Sequence, residues 1–270
     1  MNPSLLQILI DRFDDPKIDA LVLMGSYARG QAHQYSDVDL ARFTSAHGEG
    51  RSQEFRGLIA DQLVVVNNLG STAVNDIFTK PDVASSYLAG LRFARPLRDR
   101  NNTFADIQAR AQAFTWDSDM QMKANQWASE ALAGWSEDMR KGLAGLITND
   151  IGRLLSARFA GSWGLSRIMQ IQRGVLHTSG HDFYDAVGDA VGADSEWVRL
   201  RRIAFAISGA SDSAPTLREQ VVAGLQLYIE TAHLLEMALR PEDKPLIQQT
   251  IELIQAGLKK SQELHSRDLY

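Results

Sequence analysis

With 270 residues, 44% hydrophobic and 23% charged, the chain has room for one large or two modest domains of ordinary soluble composition. A net charge of −5 gives no basic footprint and disfavours a nucleic-acid substrate, while the absence of cysteine excludes disulfides, thiolate metal sites and cysteine nucleophiles. No run approaches about 18 uninterrupted apolar residues and the first fifteen residues lack a signal-peptide pattern, so a cytoplasmic protein without a membrane span is expected.

Ser4–Phe13 places Leu5, Leu6, Ile8, Leu9 and Phe13 at helical spacing after an Asn-Pro-Ser start, and Pro16 closes it, which predicts a capped amphipathic helix. Ile18–Met24 and Asp37–Phe43 read as strands, with a short helix at Ala28–Ala32 between them. Gly48–Ser52 reads as a loop and Ser52–Ala60 as another short helix. Asp61–Leu69 is rich in β-branched residues and ends in the turn chemistry of Asn67-Asn68-Leu69-Gly70, after which Thr72–Phe78 reads as a returning strand. Ser85–Leu91 is predicted helical and Arg95–Arg98 is a last short strand.

Beyond Thr103 the strand signals stop. Thr103–Phe114, Asp119–Gly134, Ser136–Phe159, Gly164–Leu176, His181–Val191, Ser195–Ile207, Thr216–Leu239 and Lys244–Lys260 all carry apolar residues at three- and four-residue intervals. Breaks fall at Gly161-Ser162, Ser179-Gly180, Gly192, Ser211–Pro215 and Pro241. The expected fold class is α+β, a small mixed-sheet domain over residues 1–101 followed by an all-α helical bundle over residues 102–270.

Between the first two strands lies the stretch LVLMGSYARGQAHQYSDVDL, Leu21–Leu40. Asp37 and Asp39 are one residue apart on a strand and therefore share a face. Two carboxylates held side by side repel unless a cation sits between them, and oxygen-only ligands suit Mg²⁺, which takes its remaining ligands from water and substrate phosphates. The Gly25-Ser26 turn can bring backbone N–H groups and a hydroxyl to a phosphate oxygen where a Cβ would obstruct. These features point to a triphosphate–metal site.

The pattern Gly25-Ser26-x-Ala28-Arg29-Gly30, five residues, then Ser36-Asp37-x-Asp39-Leu40 resembles the signature of the DNA polymerase β-like nucleotidyltransferase superfamily. The resemblance implies that Asp37 and Asp39 bind two Mg²⁺ ions, that Gly25 and Ser26 hold terminal phosphates of ATP as co-substrate, and that a third carboxylate stands on a neighbouring strand. Asp76 is the candidate for that third metal-binding and catalytic carboxylate, with Asp61 as the alternative. Arg29 is a bidentate phosphate donor or an exposed helix arginine. Ser36 orients the aspartate turn or is ordinary turn chemistry, and His33 reads as a loop residue.

The plan of a small transferase domain followed by a helical domain is similar to the aminoglycoside and lincosamide nucleotidyltransferases. It implies transfer of AMP to a hydroxyl of a small molecule, with resistance to an antibiotic as the outcome. In such enzymes the helical domain can supply a base, for which Glu130, Glu137, Asp138 and Asp150 are the candidates here. A protein or tRNA acceptor, as in toxin–antitoxin nucleotidyltransferases, and a catalytically degenerate nucleotide-binding module are the alternatives. A homodimer is the default oligomer. Trp116, Trp127, Trp135, Trp163 and Trp197 read as packing residues, and Arg199, Arg201 and Arg202 as one solvated helix face.

Overall fold

A computed structural model describes residues 2–44, 50–208 and 213–267. Gly48 and Glu49 of the expected loop, and Ser211 and Asp212 of the expected break, lie outside the described residues. The chain divides into two compact units, Met1–Met120 with Leu176–Phe183, and Gln121–Val175 with Tyr184–Tyr270. The boundary expected near Asn101 falls inside the first unit.

The first unit begins with helix α1, Pro3–Phe13, capped by the Asn2 side chain accepting from Ser4 N–H at 2.9 Å and started by Pro3. Strand β1 (Ala20–Leu23) leads into the short helix α2 (Gly25–Arg29), which starts three residues earlier than expected and ends at left-handed Gly30. Strands β2 (Val38–Phe43), β3 (Arg51–Ile59) and β4 (Gln62–Leu69) follow, then helices α3 (Ser71–Thr79) and α4 (Pro81–Phe93), strand β5 (Arg95–Asp99) and helix α5 (Thr103–Ala113). The sheet order is β3-β4-β2-β1-β5, with β2 and β4 parallel and the other neighbours antiparallel. The fold is α+β with a mixed sheet, as the sequence leads one to expect.

Two local expectations are corrected. The segment Ser52–Ala60 is not a helix but most of edge strand β3, and it turns into β4 through Ala60 and Asp61, both at positive φ. The hairpin therefore joins β3 to β4. Thr72–Phe78 is not its returning strand but the body of α3, because Val74 and Ile77, three residues apart, both bury on one helix face. Asp76 consequently sits on a helix.

Both sheet faces are covered. Leu21, Leu23, Val38, Leu40, Val64 and Val66 pack with α1, through Leu5, Leu9 and Phe13. The alternate positions Ala20, Val22, Ala41, Phe43 and Leu69 pack with α3, α4 and α5. The alternation of period two thus sends Asp39 toward the second face, at the end where that face opens to solvent.

The second unit is helical: the rest of α6 (Ser118–Gly134), then α7 (Ser136–Thr148), α8 (Ile151–Phe159), α9 (Leu165–Gln172), α10 (Phe183–Val191), α11 (Glu196–Ala204), α12 (Leu217–Leu234) and α13 (Lys244–Arg267). The expected single helix Ser136–Phe159 is broken at left-handed Asn149, after which Asp150 caps α8 by accepting from Arg153 N–H at 3.1 Å. The expected break at Gly161-Ser162 is instead a π-helical turn, Ala160–Gly164, joining α8 to α9. Helix α12 packs against α7, α8, α9, α11 and α13 and is the centre of this unit. Arg201 is not part of a solvated face. It is 1% exposed, its guanidinium lies 4.2 Å from the Tyr184 ring centroid, and its Nε donates to Ser166 Oγ at 2.8 Å.

Candidate active site

The site forms where β1 ends. Met24 N–H donates to the Asp39 carbonyl at 2.8 Å, which ties the end of β1 to β2. The chain then turns at Gly25, whose φ is +63°. A Cβ built on Gly25 would overlap Asp39 Oδ2, so this position needs glycine both for its backbone and for the space the carboxylate fills. Gln31 N–H donates to the Ser26 carbonyl at 2.9 Å and closes the α2 turn.

Asp37 and Asp39 line one cavity of about 440 Å³ on the sheet face. An adjoining cavity of about 320 Å³ runs toward Gly25, Arg29, Tyr87 and Thr178, and the two share Asp39, Arg51 and Asn67. Burial, then the charge of Asp37, pushes the Asp39 carboxyl up to about 6, with Arg29 pulling the other way. A carboxylate stressed by desolvation and by a like charge is relieved by a cation placed against it. The donor set is two carboxylates with open space beside them. It suits a hard divalent ion that keeps waters or takes phosphate oxygens, and so fits Mg²⁺. Among the described residues no group of three or more His, Cys, Asp or Glu side chains is placed to hold a metal.

The remaining expected residues are distributed as follows. Arg29 lines the smaller cavity while its Nε donates to Gln31 at 2.9 Å and its Nη1 to the Thr178 carbonyl at 3.0 Å. Ser26 lies in the first turn of α2 and is not among the residues lining either cavity. Ser36 accepts from His33 N–H at 3.0 Å while its own N–H donates to the His33 carbonyl at 3.0 Å, so the pair closes the turn before Asp37. Asp76 lines neither cavity and is bonded to Lys80 Nζ at 2.8 Å along α3. Asp61 sits in the β3–β4 turn.

In the second unit, Glu130 pairs with Arg240, Glu137 and Asp138 pair with Lys141, and Asp150 caps α8 and pairs with Arg153. Each of these carboxylates has a local structural partner.

The sequence pattern gives Arg51 and Arg56 no role and presents Asn67 as turn chemistry, whereas Asn67 lies within strand β4. Their common signal is alternation along β3 and β4, which is visible only once 51–59 is recognised as a strand. Asn67 and Val65 occupy the β4 positions that face the cavity beside Asp39, and Val65 is the register partner of Asp39. The neighbouring strand therefore presents an amide and an aliphatic side chain where a third carboxylate was expected.

Residues 4–77 match the family model of the nucleotidyltransferase domain, a span that runs from α1 to α3 and contains the whole Gly25–Asp39 turn. The match is confined to this part of the chain, and the protein is an enzyme of the nucleotidyltransferase class. No curated protein matches the sequence. Among solved structures, a nucleotidyltransferase-like protein from Exiguobacterium sibiricum 255-15 is similar, with 11% identity over 87% of this chain and 74% of that one, at a TM-score of 0.49.

Proposed function

We propose that the enzyme transfers AMP from ATP to a hydroxyl of a small molecule, with pyrophosphate as the second product. The favoured acceptor class is the aminoglycoside or lincosamide antibiotics. The observation that carries the reading is the pairing of Asp37 and Asp39 in one cavity with Gly25 fitted against Asp39. In this reading Asp37 and Asp39 hold a divalent cation, Mg²⁺ by the hardness of the donors. When bound, the ion supplies charge neutralisation at the phosphate oxygens.

The chain's own residues position the reactants. Gly25 leaves the Asp39 carboxylate accessible beside the turn. Arg29 is held at the cavity wall by Gln31 and Thr178. The acceptor oxygen forms its bond to the α-phosphorus, the α–β bridging P–O bond breaks, and pyrophosphate leaves with the bonding pair. The hydroxyl proton passes to a cavity carboxylate or to water.

The test is incubation with α-labelled ATP or GTP, Mg²⁺, a panel of antibiotics and metabolites, and a cell extract, with products resolved by size. Label on a small molecule, absent in Asp37→Ala and Asp39→Ala, is the expected result. Label on protein or RNA would replace the acceptor class. The non-acidic Val65 and Asn67 beside Asp39 favour one further reading, a nucleotide-binding module without turnover, for which metal-dependent binding without transfer would be the signature.

A further inference from the structure

The face that carries Asp37 and Asp39 also carries a pair of arginines, and a defect in the sheet puts them there. Register along β3–β4 runs Arg51↔Leu69 and Gln53↔Asn67, then shifts at Glu54 so that Phe55↔Val66 and Arg56↔Val65. Without that extra residue, period-two alternation would send Phe55 to the cavity and Arg56 away from it. With it, Phe55 turns inward, 5.4 Å from Phe13 between ring centroids, and Glu54 turns to Arg42, with 3.0 Å between Oε1 and Nη1. Arg51, Gln53 and Arg56 are all left lining the cavity of Asp37 and Asp39.

Asp39, Val65 and Arg56 are register partners across three adjacent strands. Strand spacing puts the Asp39 and Arg56 backbones roughly 10 Å apart, within reach of an arginine side chain and one phosphate group between them. Arg51 lines both cavities and its guanidinium rests 5.1 Å from the Tyr87 ring centroid, which directs it along the face.

We propose that Arg51 and Arg56 form a polyphosphate subsite that stands in for a second divalent ion, so that this enzyme binds its nucleotide with a single cation at Asp37 and Asp39. The proposal rests on the nucleotidyl-transfer reading of the same site. Charge supports it. Two divalent ions bring four positive charges, and among the described residues the cavity offers two carboxylates, with neutral Asn67 and Val65 at the neighbouring strand positions. One divalent ion balances Asp37 and Asp39, and the two arginines meet the phosphates with fixed, bidentate donors. Arg56 is exposed on an edge strand and Arg51 projects from the same strand, so neither is needed for the core.

The test uses the full chain with Mn²⁺ and a non-hydrolysable ATP analogue, counting bound ions by electron paramagnetic resonance and measuring affinity by calorimetry. One Mn²⁺ per chain is expected in the ternary complex, and two in Asn67→Asp. Arg51→Gln and Arg56→Gln should each weaken the analogue and inorganic triphosphate by about tenfold or more, the scale of a lost charge-assisted contact, while binding of Mn²⁺ alone is retained. Arg56→Lys should recover part of the loss, which a merely structural role would not require. Two Mn²⁺ in the unaltered chain, or analogue affinity within twofold in both arginine variants, would overturn the proposal while leaving nucleotidyl transfer intact. No binding of Mn²⁺ or analogue to the unaltered chain would overturn the transfer reading and this inference with it.

Discussion

Gly25 and Asp39 are fitted to one another: the glycine sits at φ +63° and its missing Cβ is the space that the Asp39 Oδ2 occupies. Gly30, five residues on, also has positive φ, +73°, but a Cβ there meets nothing within 4 Å. The pair separates backbone strain from site chemistry. Both Gly→Ala changes should cost about 1–2 kcal/mol for the left-handed backbone. Only Gly25→Ala should displace the Asp39 carboxylate and remove Mn²⁺ binding, as measured by titration beside thermal unfolding. Retained Mn²⁺ affinity in Gly25→Ala would show that the fit does not matter to the site.

Asp39 sets the response to pH. Its folded value of about 6, raised by burial and then by Asp37, lies above the ordinary carboxylate value of 3.8. The folded state therefore holds this proton more tightly than the unfolded chain, and without a cation the contribution to stability declines as pH rises between those values. A cation removes that penalty, and below the folded value it must compete with the proton. Mg²⁺ should thus raise the unfolding temperature more at about pH 7 than at about pH 5. Equal increments at the two pH values would contradict the assignment.

A different carboxylate contributes to acid stability in the helical unit. Asp243 receives Arg240 Nε at 2.7 Å and Ser129 Oγ at 2.6 Å, and Ser129 Oγ in turn accepts Arg240 N–H at 2.9 Å. The Arg240 hydrogen bond first, and Ser129 with it, hold the Asp243 carboxyl below its ordinary value against the opposing effect of burial. A lowered folded value contributes stability above the unfolded pKa and loses it as pH falls through the folded one. Asp243→Ala should cost about 2 kcal/mol, because the fully buried Ser129 loses its acceptor, and should flatten the acid limb of a denaturation profile. An unchanged midpoint would show that the network carries little.

The π-helical turn packs closely against α12 through a glycine contact. A Cβ on Gly161 would come within 2.7 Å of Gly224 Cα in α12, whereas one on Gly134 meets nothing within 4 Å. Gly161→Ala should therefore destabilise by about 1–3 kcal/mol through overpacking, and Gly134→Ala should be neutral or stabilising by up to about 1 kcal/mol. Urea denaturation of the two variants decides it, and similar midpoints would contradict the contact.

Much of this architecture is legible in the sequence where burial is one-sided. The helices of the second unit follow from their apolar spacing, and β1 and β2 from runs in which Leu21, Leu23, Val38 and Leu40 serve one face. Strand β3 was hidden because it is a polar edge strand, Arg51-Ser52-Gln53-Glu54, and because its turn uses Ala60-Asp61 at positive φ where Asn-Gly would have announced a hairpin. Helix α3 was hidden because seven residues with a β-branched start fit either period. At the site, Gly25 and Arg29 line the smaller cavity, Asp37 the larger, and Asp39 both. Arg51, Arg56 and Asn67 come from strands whose pairing and bulge are tertiary facts. Arg201 differs from its expected place for a similar reason, since an arginine on an apolar-flanked helix gives no sign that three rings enclose it.

In the proposed function, Asp37 and Asp39 make nucleotide binding depend on a divalent cation. Calorimetric titration of ATP with and without Mg²⁺, on the unaltered chain and on Asp37→Ala and Asp39→Ala, tests it most directly. The expected result is Mg²⁺-dependent binding in the unaltered chain and its loss in both variants. Unchanged ATP affinity in those variants, with or without Mg²⁺, would contradict the account.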